Sequence, residues 1–218
     1  MKKNKKVYVA ISADILHEGH INILKIASKL GTVIVGLLTD SAITKYRRLP
    51  LLKYKQRETI IKNIKYVDKV VTQNQLDHTE NLIKYKPDYV VHGDDWKSGI
   101  LKKARSQVIK TLKKWNGKLI EPKYTKNISS EFIKKKMNEI GTTPDIRREK
   151  LRRLLNAKKI VRIIEAHNPL TGLIVENTKY IKGENYFEFD GMWSSSLTDS
   201  AIRGRPDNQA VDYSTRID

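Results

Sequence analysis

Two histidines three residues apart offer the clearest chemistry in this sequence. His17 and His20 flank Glu18 and Gly19, where a short apolar run gives way to a helical pattern. Residues three apart lie on one face of a helix, and the free N–H groups at a helix start attract anions. Imidazole N–H groups add donors, and Gly19 lets a ligand approach closely. The pattern therefore predicts a phosphate site.

Two other interpretations of the histidine pair stay open at this point. A zinc ion would need a third ligand, for which His78 and His92 are candidates without an evident place beside the pair. The pair could also be ordinary surface histidines. The chain has no cysteine, which excludes disulfides, thiolate metal sites and thiol nucleophiles, and suits a reducing, cytoplasmic location.

Short apolar runs alternate with helical patterns over the first 140 residues, and these elements must position the histidines. Continuous apolar strands are typical of a parallel sheet covered by helices on both faces, which binds ligands beyond the carboxyl ends of its strands. The pair follows the first strand directly. We predict strands near 6–12, 32–39, 68–72, 88–92 and 118–121, with helices near 20–31, 55–67, 78–87, 100–117 and 129–140.

The formal charge of +19 is unevenly distributed. Residues 1–150 hold 33 Lys and Arg against 15 Asp and Glu, whereas residues 151–218 hold 10 against 9. A basic half attracts polyanions, from nucleic acid to phosphorylated small molecules. Its lysines are scattered rather than interleaved with aromatics, so solvated lysine faces explain them equally well. No apolar run approaches the ~20 residues of a membrane span, and we expect neither a membrane nor a specific nucleic-acid partner.

Four segments carry a resemblance to a known family. "DILHEGHINIL" (14–24) resembles the D-x-x-H-x-G-H segment of the nucleotidyltransferase superfamily, most closely the glycerol-3-phosphate cytidylyltransferase group. Residues 57–71 resemble its R-x-x-I-x-x-x-R-Y-V-D-x-V segment, residues 92–96 its G-D-D-W, and residues 126–136 its G-I-S-T-T-x-I-K. The resemblance implies a Rossmann-like domain that transfers CMP from CTP with Mg²⁺ and releases pyrophosphate.

The resemblance also implies residue roles. His17 and His20 would hold the triphosphate and stabilise the α-phosphoryl group as it transfers, a reaction in which positioning and charge stabilisation do most of the work. It implies no metal ligand from the protein. The nucleotide-binding residues would be Asp14, Gly19, Lys45, Arg48, Asp94, Asp95, Trp96, Ser129 and Ser130, and the acceptor-binding residues Arg57, Lys65, Tyr66 and Asp68.

Several positions depart from the family pattern. The phosphate-gripping arginine is missing from the family's arginine–threonine–glutamate–glycine run, which leaves Lys123 or Lys126 to supply the charge without a bidentate fork. Asn127 replaces the glycine of that run, Lys65 the second arginine of the 57–71 segment, and Ala13 an aromatic residue. These departures bear on the acceptor and nucleotide preference more than on the reaction type.

The composition breaks at "GTTPDIRREK", so we predict a domain at 1–140, a linker at 141–150 and a second region at 151–218. Residues 163–177 and 189–207 resemble phosphoenolpyruvate mutase, a (β/α)-barrel of the isocitrate lyase superfamily. The resemblance implies a catalytic aspartate at Asp207 and a substrate loop of Trp193, Ser195, Ser196 and Leu197.

The second region is too short for a complete barrel. A (β/α)-barrel takes ~200–250 residues and eight strands, whereas the second region contains about two predicted strands. We expect an incomplete barrel segment with exposed strand edges and no mutase activity of its own. Its predicted elements are a helix over 148–157, a strand over 159–168, a helix over 169–178 and a strand over 186–196.

Together the two resemblances imply a cytidylyltransferase that acts in phosphonate biosynthesis. The acceptor would be a small phosphonate, such as 2-aminoethyl- or 2-hydroxyethylphosphonate. Two alternatives remain: a phosphate-ester acceptor such as glycerol 3-phosphate, and a basic nucleic-acid-binding or inactive domain. We also expect a homo-oligomer.

Overall fold

The structure, a computed structural model, describes residues 5–47, 49–97, 99–123, 125, 133, 144–182 and 185–207. The chain divides into two compact units, Met1–Ala157 and Lys158–Asp218. No helix in the described part of the chain is long and apolar enough to cross a membrane.

A five-stranded parallel sheet forms the centre of the first unit. Its strand order is β3-β2-β1-β4-β5, so the direction of winding reverses between β1 and β4. This confirms the predicted Rossmann-like α/β fold, with each strand within about two residues of its predicted position. The strands are β1 (Lys6–Ile11), β2 (Thr32–Leu38), β3 (Lys69–Gln73), β4 (Tyr89–Val91) and β5 (Lys118–Ile120).

Helices connect the strands. The predicted helices of this unit are confirmed with shifted ends, except the one over 129–140, of which the structure describes Ile133 alone. The helices are α1 (Glu18–Leu30), α2 (Asp40–Ile43), α3 (Tyr54–Lys62), α4 (Thr79–Tyr85), α5 (Lys102–Leu112) and α6 (Pro144–Ala157), with 3₁₀ turns at Asp94–Lys97, Gly99–Leu101 and Lys113–Trp115.

Both faces of the sheet are buried, which explains why its strands are apolar without alternation. Val7 and Val9 of β1 pack with Leu24 of α1 on one face. On the other face, Tyr8 of β1 packs with Val108 of α5. The sheet is thus a rigid platform whose carboxyl edge positions the loops that follow each strand.

Helix α6 belongs to the first unit, whereas the sequence predicted a linker over 141–150 and placed the rest of this helix in the second region. The guanidinium of Arg153 donates to the carbonyl oxygens of Leu51 and Pro50 at 2.9 and 2.7 Å. Glu149 pairs with Lys53 at 2.6 Å. These contacts fasten the helix to the loop before α3, so the boundary between units falls after Ala157.

The described residues of the second unit form one parallel and one antiparallel strand pair. β6 pairs with β9 in parallel, and β7 pairs with β8 as an antiparallel hairpin that the sequence did not predict. The predicted strand over 159–168 is reduced to β6, and the one over 186–196 splits into β8 and β9. The parallel pair does not conflict with a barrel segment, which stays a prediction. The elements are β6 (Ile163–Glu165), α7 (Pro169–Asn177), β7 (Lys179–Lys182), β8 (Asn185–Glu188), β9 (Gly191–Trp193) and α8 (Ser196–Ile202).

Candidate functional site

The two histidines cap the start of α1 and hold each other in place. The Nδ1 atom of His17 accepts a hydrogen bond from the backbone N–H of Gly19 at 3.2 Å. The Nδ1 atom of His20 accepts one from the backbone N–H of His17 at 3.4 Å. The ring centroids lie 4.0 Å apart. This reciprocal arrangement is a capping box in which both partners are imidazoles.

These hydrogen bonds decide where the ring protons sit. A neutral imidazole has one acceptor nitrogen and one donor nitrogen, so a ring that accepts at Nδ1 carries its proton on Nε2. Burial lowers the pKa of both rings, and it lowers the pKa of His20 to about 4, with smaller contributions from His17 and Arg47. At neutral pH each histidine therefore offers one uncharged N–H donor.

A cavity of about 300 Å³ opens at the carboxyl edge of the sheet, and both histidines line it. Arg47 and Lys123 line it as well, so two cations accompany the two imidazole donors. A Cβ atom at Gly19 would lie only 3.0 Å from the ring of His17, so the glycine leaves this side of the cavity open. The helix start, the donors and the cations together form a site suited to a polyanion such as a triphosphate.

Another part of the cavity lining is aromatic and uncharged. The indole of Trp96 is 1% exposed and stacks on the ring of His92, with centroids 3.8 Å apart and planes 8° apart. His78 stacks on the indole at 5.7 Å, and its buried Nδ1 has no hydrogen-bond partner among the described residues. Burial lowers the pKa of His92, and it lowers the pKa of His78 to about 3, so both rings are neutral at pH 7.

Comparison with known proteins identifies this arrangement. Residues 12–136, more than half of the chain, match the family described as cytidylyltransferase-like. The chain belongs to that family. The matched residues contain the sheet from the end of β1 onward, the histidine pair and the aromatic side of the cavity, so the family match and the site coincide.

Individual relatives of this cytidylyltransferase-like chain carry different names. Ethanolamine-phosphate cytidylyltransferase of Arabidopsis thaliana is 34% identical over 100 residues, which are 43% of this chain and 24% of that protein. FAD synthase of Korarchaeum cryptofilum is 37% identical over 102 residues, 44% of this chain and 69% of the relative. Glycerol-3-phosphate cytidylyltransferase of Bacillus subtilis is 33% identical over 94 residues, 42% and 73% respectively. The chain thus spans about a quarter of the length of the plant relative.

The cavity brings together three of the six predicted nucleotide-binding residues that the structure describes. Gly19, Asp95 and Trp96 line the cavity with the histidines. Asp14 instead lies buried behind it, where its Oδ1 accepts from the backbone N–H groups of Leu51 and Leu52 at 2.6 and 3.2 Å. Lys45 is exposed and, like Asp94, is not among the described lining residues; Arg48, Ser129 and Ser130 lie outside the described residues.

Arg57, predicted to bind the acceptor, is fully buried and binds the backbone instead. Its guanidinium donates to the carbonyl oxygens of Ser12, of Leu38 at 2.9 Å and of Leu52 at 3.2 Å. Its Nη2 pairs with Asp40 at 2.6 Å. Arg57 therefore positions the loops that follow β1 and β2, both of which border the cavity, and cannot itself reach a ligand there.

The other predicted acceptor-binding residues lie at the opposite edge of the sheet. Asp68 accepts from the backbone N–H of Val33 at 2.8 Å, at the amino end of β2. Lys65 and Tyr66 precede it in the α3–β3 loop, where the ammonium of Lys65 lies 5.1 Å from the centroid of the Tyr66 ring. In a parallel sheet, the loops before the strands lie at the amino edge and the loops after the strands lie at the carboxyl edge. Within one chain these residues are therefore remote from the cavity.

Sequence reasoning missed three contributors to the site. His78 and His92 were considered only as zinc ligands, and Glu121, which accepts from the indole Nε1 of Trp96 at 2.7 Å, was not considered. Long-range contacts of this kind leave no local spacing signal. No group of three His, Cys, Asp or Glu able to hold a metal occurs among the described residues.

The residues of the mutase resemblance lie together in the second unit. Trp193 ends β9, and the Oγ of Ser195 caps α8 by accepting from the N–H of Thr198 at 3.3 Å. The hydroxyl of Thr198 donates to Glu165 at the end of β6, the neighbouring parallel strand. Ser196 and Leu197 open α8, and Asp207 is exposed beyond it. The mutase resemblance itself stays a prediction.

Proposed function

We propose that this chain transfers a CMP group from CTP to a small phosphorylated or phosphonylated acceptor and releases pyrophosphate. The observation that carries the proposal is the pair of neutral histidines, whose Nε2–H donors sit at a helix start in a cavity also lined by Arg47 and Lys123. An acceptor oxygen would form a bond to the α-phosphorus while the bond to the bridging oxygen breaks, and the electron pair would leave with pyrophosphate.

In this proposal the histidines act as preorganised donors rather than as acids or bases. Burial keeps both rings uncharged at neutral pH, and the hydrogen bonds at Nδ1 fix the Nε2–H tautomer. Their N–H groups would strengthen their hydrogen bonds as negative charge builds on the transferring phosphoryl oxygens. Arg47 and Lys123 would bind the phosphates that leave.

Magnesium would enter with the nucleotide as its substrate complex. Mg²⁺ keeps several waters and is commonly held by substrate phosphates with one or two carboxylates. Asp95 is the carboxylate residue among the described residues that line the cavity. The chain therefore fits an ion held mainly by the triphosphate, and the ion would neutralise charge on the leaving pyrophosphate.

The choice of CTP rests on the family and on the motifs at 57–71, 92–96 and 126–136. Because the relatives include an FAD synthase as well as cytidylyltransferases, the nucleotide must be tested directly. Calorimetric titration with CTP–Mg²⁺ and ATP–Mg²⁺ should show tighter binding of CTP. A preference for ATP would leave the nucleotidyl-transfer proposal intact and remove its cytidylyl specificity.

For the acceptor we propose a small phosphonate, such as 2-aminoethyl- or 2-hydroxyethylphosphonate, on the strength of the mutase resemblance in the second unit. A phosphate ester is the competing class, and it is supported by the names of two relatives, which act on ethanolamine phosphate and glycerol 3-phosphate. Pyrophosphate release from CTP with a matched panel, 2-aminoethylphosphonate against ethanolamine phosphate, discriminates them. Faster turnover of the phosphate ester would refute the phosphonate assignment.

The remaining expectations need separate tests. We propose that the second unit has no phosphoenolpyruvate mutase activity by itself, because its described strands are too few for a barrel. Direct assay for phosphonopyruvate formation tests this. We also propose a homo-oligomer, and light scattering coupled to size exclusion measures its mass against the 25.2 kDa of one chain.

A further inference from the structure

A carboxylate outside the cavity holds one of its aromatic residues. Glu121, directly after β5, accepts from the indole Nε1 of Trp96 at 2.7 Å. The indole is almost completely buried, and a buried N–H without an acceptor is strongly unfavourable. Glu121 thereby fixes the plane of a ring that lines the cavity, although Glu121 does not itself line it.

Arg105 of α5 holds Glu121 in turn. Its Nε donates to Oε1 at 2.8 Å and its Nη2 to Oε2 at 2.9 Å, a bidentate arrangement. This fork, with the indole N–H, lowers the pKa of Glu121 to about 2, so the carboxylate is ionised at neutral pH. A bidentate pair permits one orientation of the carboxylate, so the acceptor for Trp96 cannot rotate away.

The orientation of the indole in turn determines the position of other groups that line the cavity. Trp96 stacks on His92 with nearly parallel planes, and the Nδ1 of His92 lies 2.8 Å from the carbonyl oxygen of Gly93. Asp95, on the same 3₁₀ turn as Trp96, also lines the cavity. A tilt of the indole would therefore shift both the His92 ring and the turn that carries Asp95.

We infer that Glu121 is a positioning residue for nucleotide binding, acting through the indole of Trp96 rather than by touching the ligand. The inference rests on the proposed function. The flat, uncharged surface of Trp96 and His92 suits the nucleoside part of CTP, because bases stack on aromatic rings. The reacting phosphate would face His17 and His20, which are not part of this network. Glu121 should accordingly set the KM for the nucleotide and leave kcat nearly unchanged.

Steady-state kinetics with CTP–Mg²⁺ on the full chain test the inference. Glu121→Ala should raise the KM for CTP about tenfold, the order expected when one buried donor loses its partner, with kcat within about twofold. Glu121→Gln keeps an acceptor oxygen for the indole and should restore most of the affinity. Glu58→Gln is the matched control, because Glu58 also accepts from two cations, Lys55 and Lys62, but lies away from the cavity.

A double-mutant cycle separates positioning from plain stability. Trp96→Phe keeps a ring but removes the N–H, so adding Glu121→Ala to it should change the KM for CTP little further. A lowered melting temperature with an unchanged KM, or additive effects on KM in the cycle, would overturn the inference. Wild-type chain that neither binds nor turns over nucleotide would overturn the proposed function with it, whereas an active wild type with an unaffected Glu121→Ala variant overturns the inference alone.

Discussion

The two compact units of this chain use the same kinds of element and reach very different degrees of burial. In the first unit, Leu24 and Leu37 are fully buried. In the second, Leu173 is 61% exposed and Trp193 is 62% exposed. Among the residues of the second unit whose burial is described, the buried ones are polar, Asp199 and Ser200.

The difference shows that element type does not determine whether a core forms. In the first unit, helices cover both faces of five paired strands, so the apolar side chains of the strands meet a neighbouring layer. The described part of the second unit pairs two strands in parallel and two in a hairpin, which leaves most of its apolar side chains exposed to solvent. Small sets of elements rarely bury enough apolar area to offset the entropy of ordering them.

Hydrogen exchange should give the largest contrast between the units. Amides of β2 should exchange only through global unfolding, at a free energy of about 5–15 kcal/mol. Amides of β6 and β9 should exchange at least ~10³-fold faster, because their strands border solvent. Both sets are read in one mass-spectrometry experiment on the monomer, and equal protection would show that the second unit is a stable body.

Substitutions should show that the activity depends on the histidine pair of the first unit and not on the second unit. His17→Ala and His20→Ala should each lower turnover of CTP by ~10²–10³, as losing one preorganised donor does, whereas Trp193→Ala and Asp207→Ala should leave it unchanged. Pyrophosphate release measures the turnover. His17→Asn can still cap the helix, but its shorter side chain has no N–H at the position of the ring Nε2. If this variant is as inactive as His17→Ala while its circular dichroism is native, the loss is due to the missing Nε2–H donor. A variant of either histidine with normal turnover would contradict the proposed role.

A matched pair of leucine substitutions tests the packing contrast. Leu24→Ala removes a fully buried side chain from α1 and should lower the free energy of unfolding by about 2–5 kcal/mol. Leu173→Ala, on the exposed face of α7, should change it by no more than about 0.5 kcal/mol. Denaturant titration followed by far-ultraviolet circular dichroism compares them. A large effect at Leu173 would reveal a covering surface and end the comparison.

The pH dependence of stability should also belong to the first unit, because that unit holds the buried histidines. Folding lowers the pKa of His20 to about 4 and that of His78 to about 3, from about 6.5 in the unfolded chain. Below pH ~6.5 these two histidines bind protons in the unfolded chain but remain neutral in the folded chain. Stability should thus be complete above that pH and fall as pH falls, by up to about 1.4 kcal/mol per pH unit for each histidine. His78→Gln should make the decline between pH 6 and 4 shallower; an unaltered slope would refute the assignment.

Much of the first unit could be predicted because its signals are local. Strands buried on both faces appear as unbroken apolar runs, as in "TVIVGLL". Two histidines three residues apart indicate a shared helix face. The same locality explains why Gly19 could be predicted to lie beside the histidines, where it lines the cavity. Whether these segments form strands or helices depends little on residues that are distant in the sequence.

The predicted acceptor-binding residues show where local reasoning ends, because the fold separates them. The segment 57–71 runs through α3, a loop and β3, so Arg57 lies near the carboxyl edge of the sheet whereas Asp68 lies at its amino edge. Arg57 is buried because backbone oxygens from three segments satisfy its charge. The contact between Trp96 and Glu121 likewise joins residues 25 positions apart. Such relationships arise from the fold, and spacing in the sequence does not encode them.

The contacts of Arg57 restrict how a ligand can enter the cavity. The buried guanidinium of Arg57 donates to the carbonyl oxygens of Ser12, Leu38 and Leu52. If one of these loops moved alone, the buried charge would lose a hydrogen-bond acceptor without gaining water, which is unfavourable. The loops that follow β1 and β2 should therefore move together or not at all. We expect the cavity to open to a ligand at another part of its rim, such as the exposed Lys123. Relaxation-dispersion spectroscopy should find millisecond exchange at Lys123 and no exchange at positions 12, 38 and 52; exchange at those three positions would show that the loops after β1 and β2 also open.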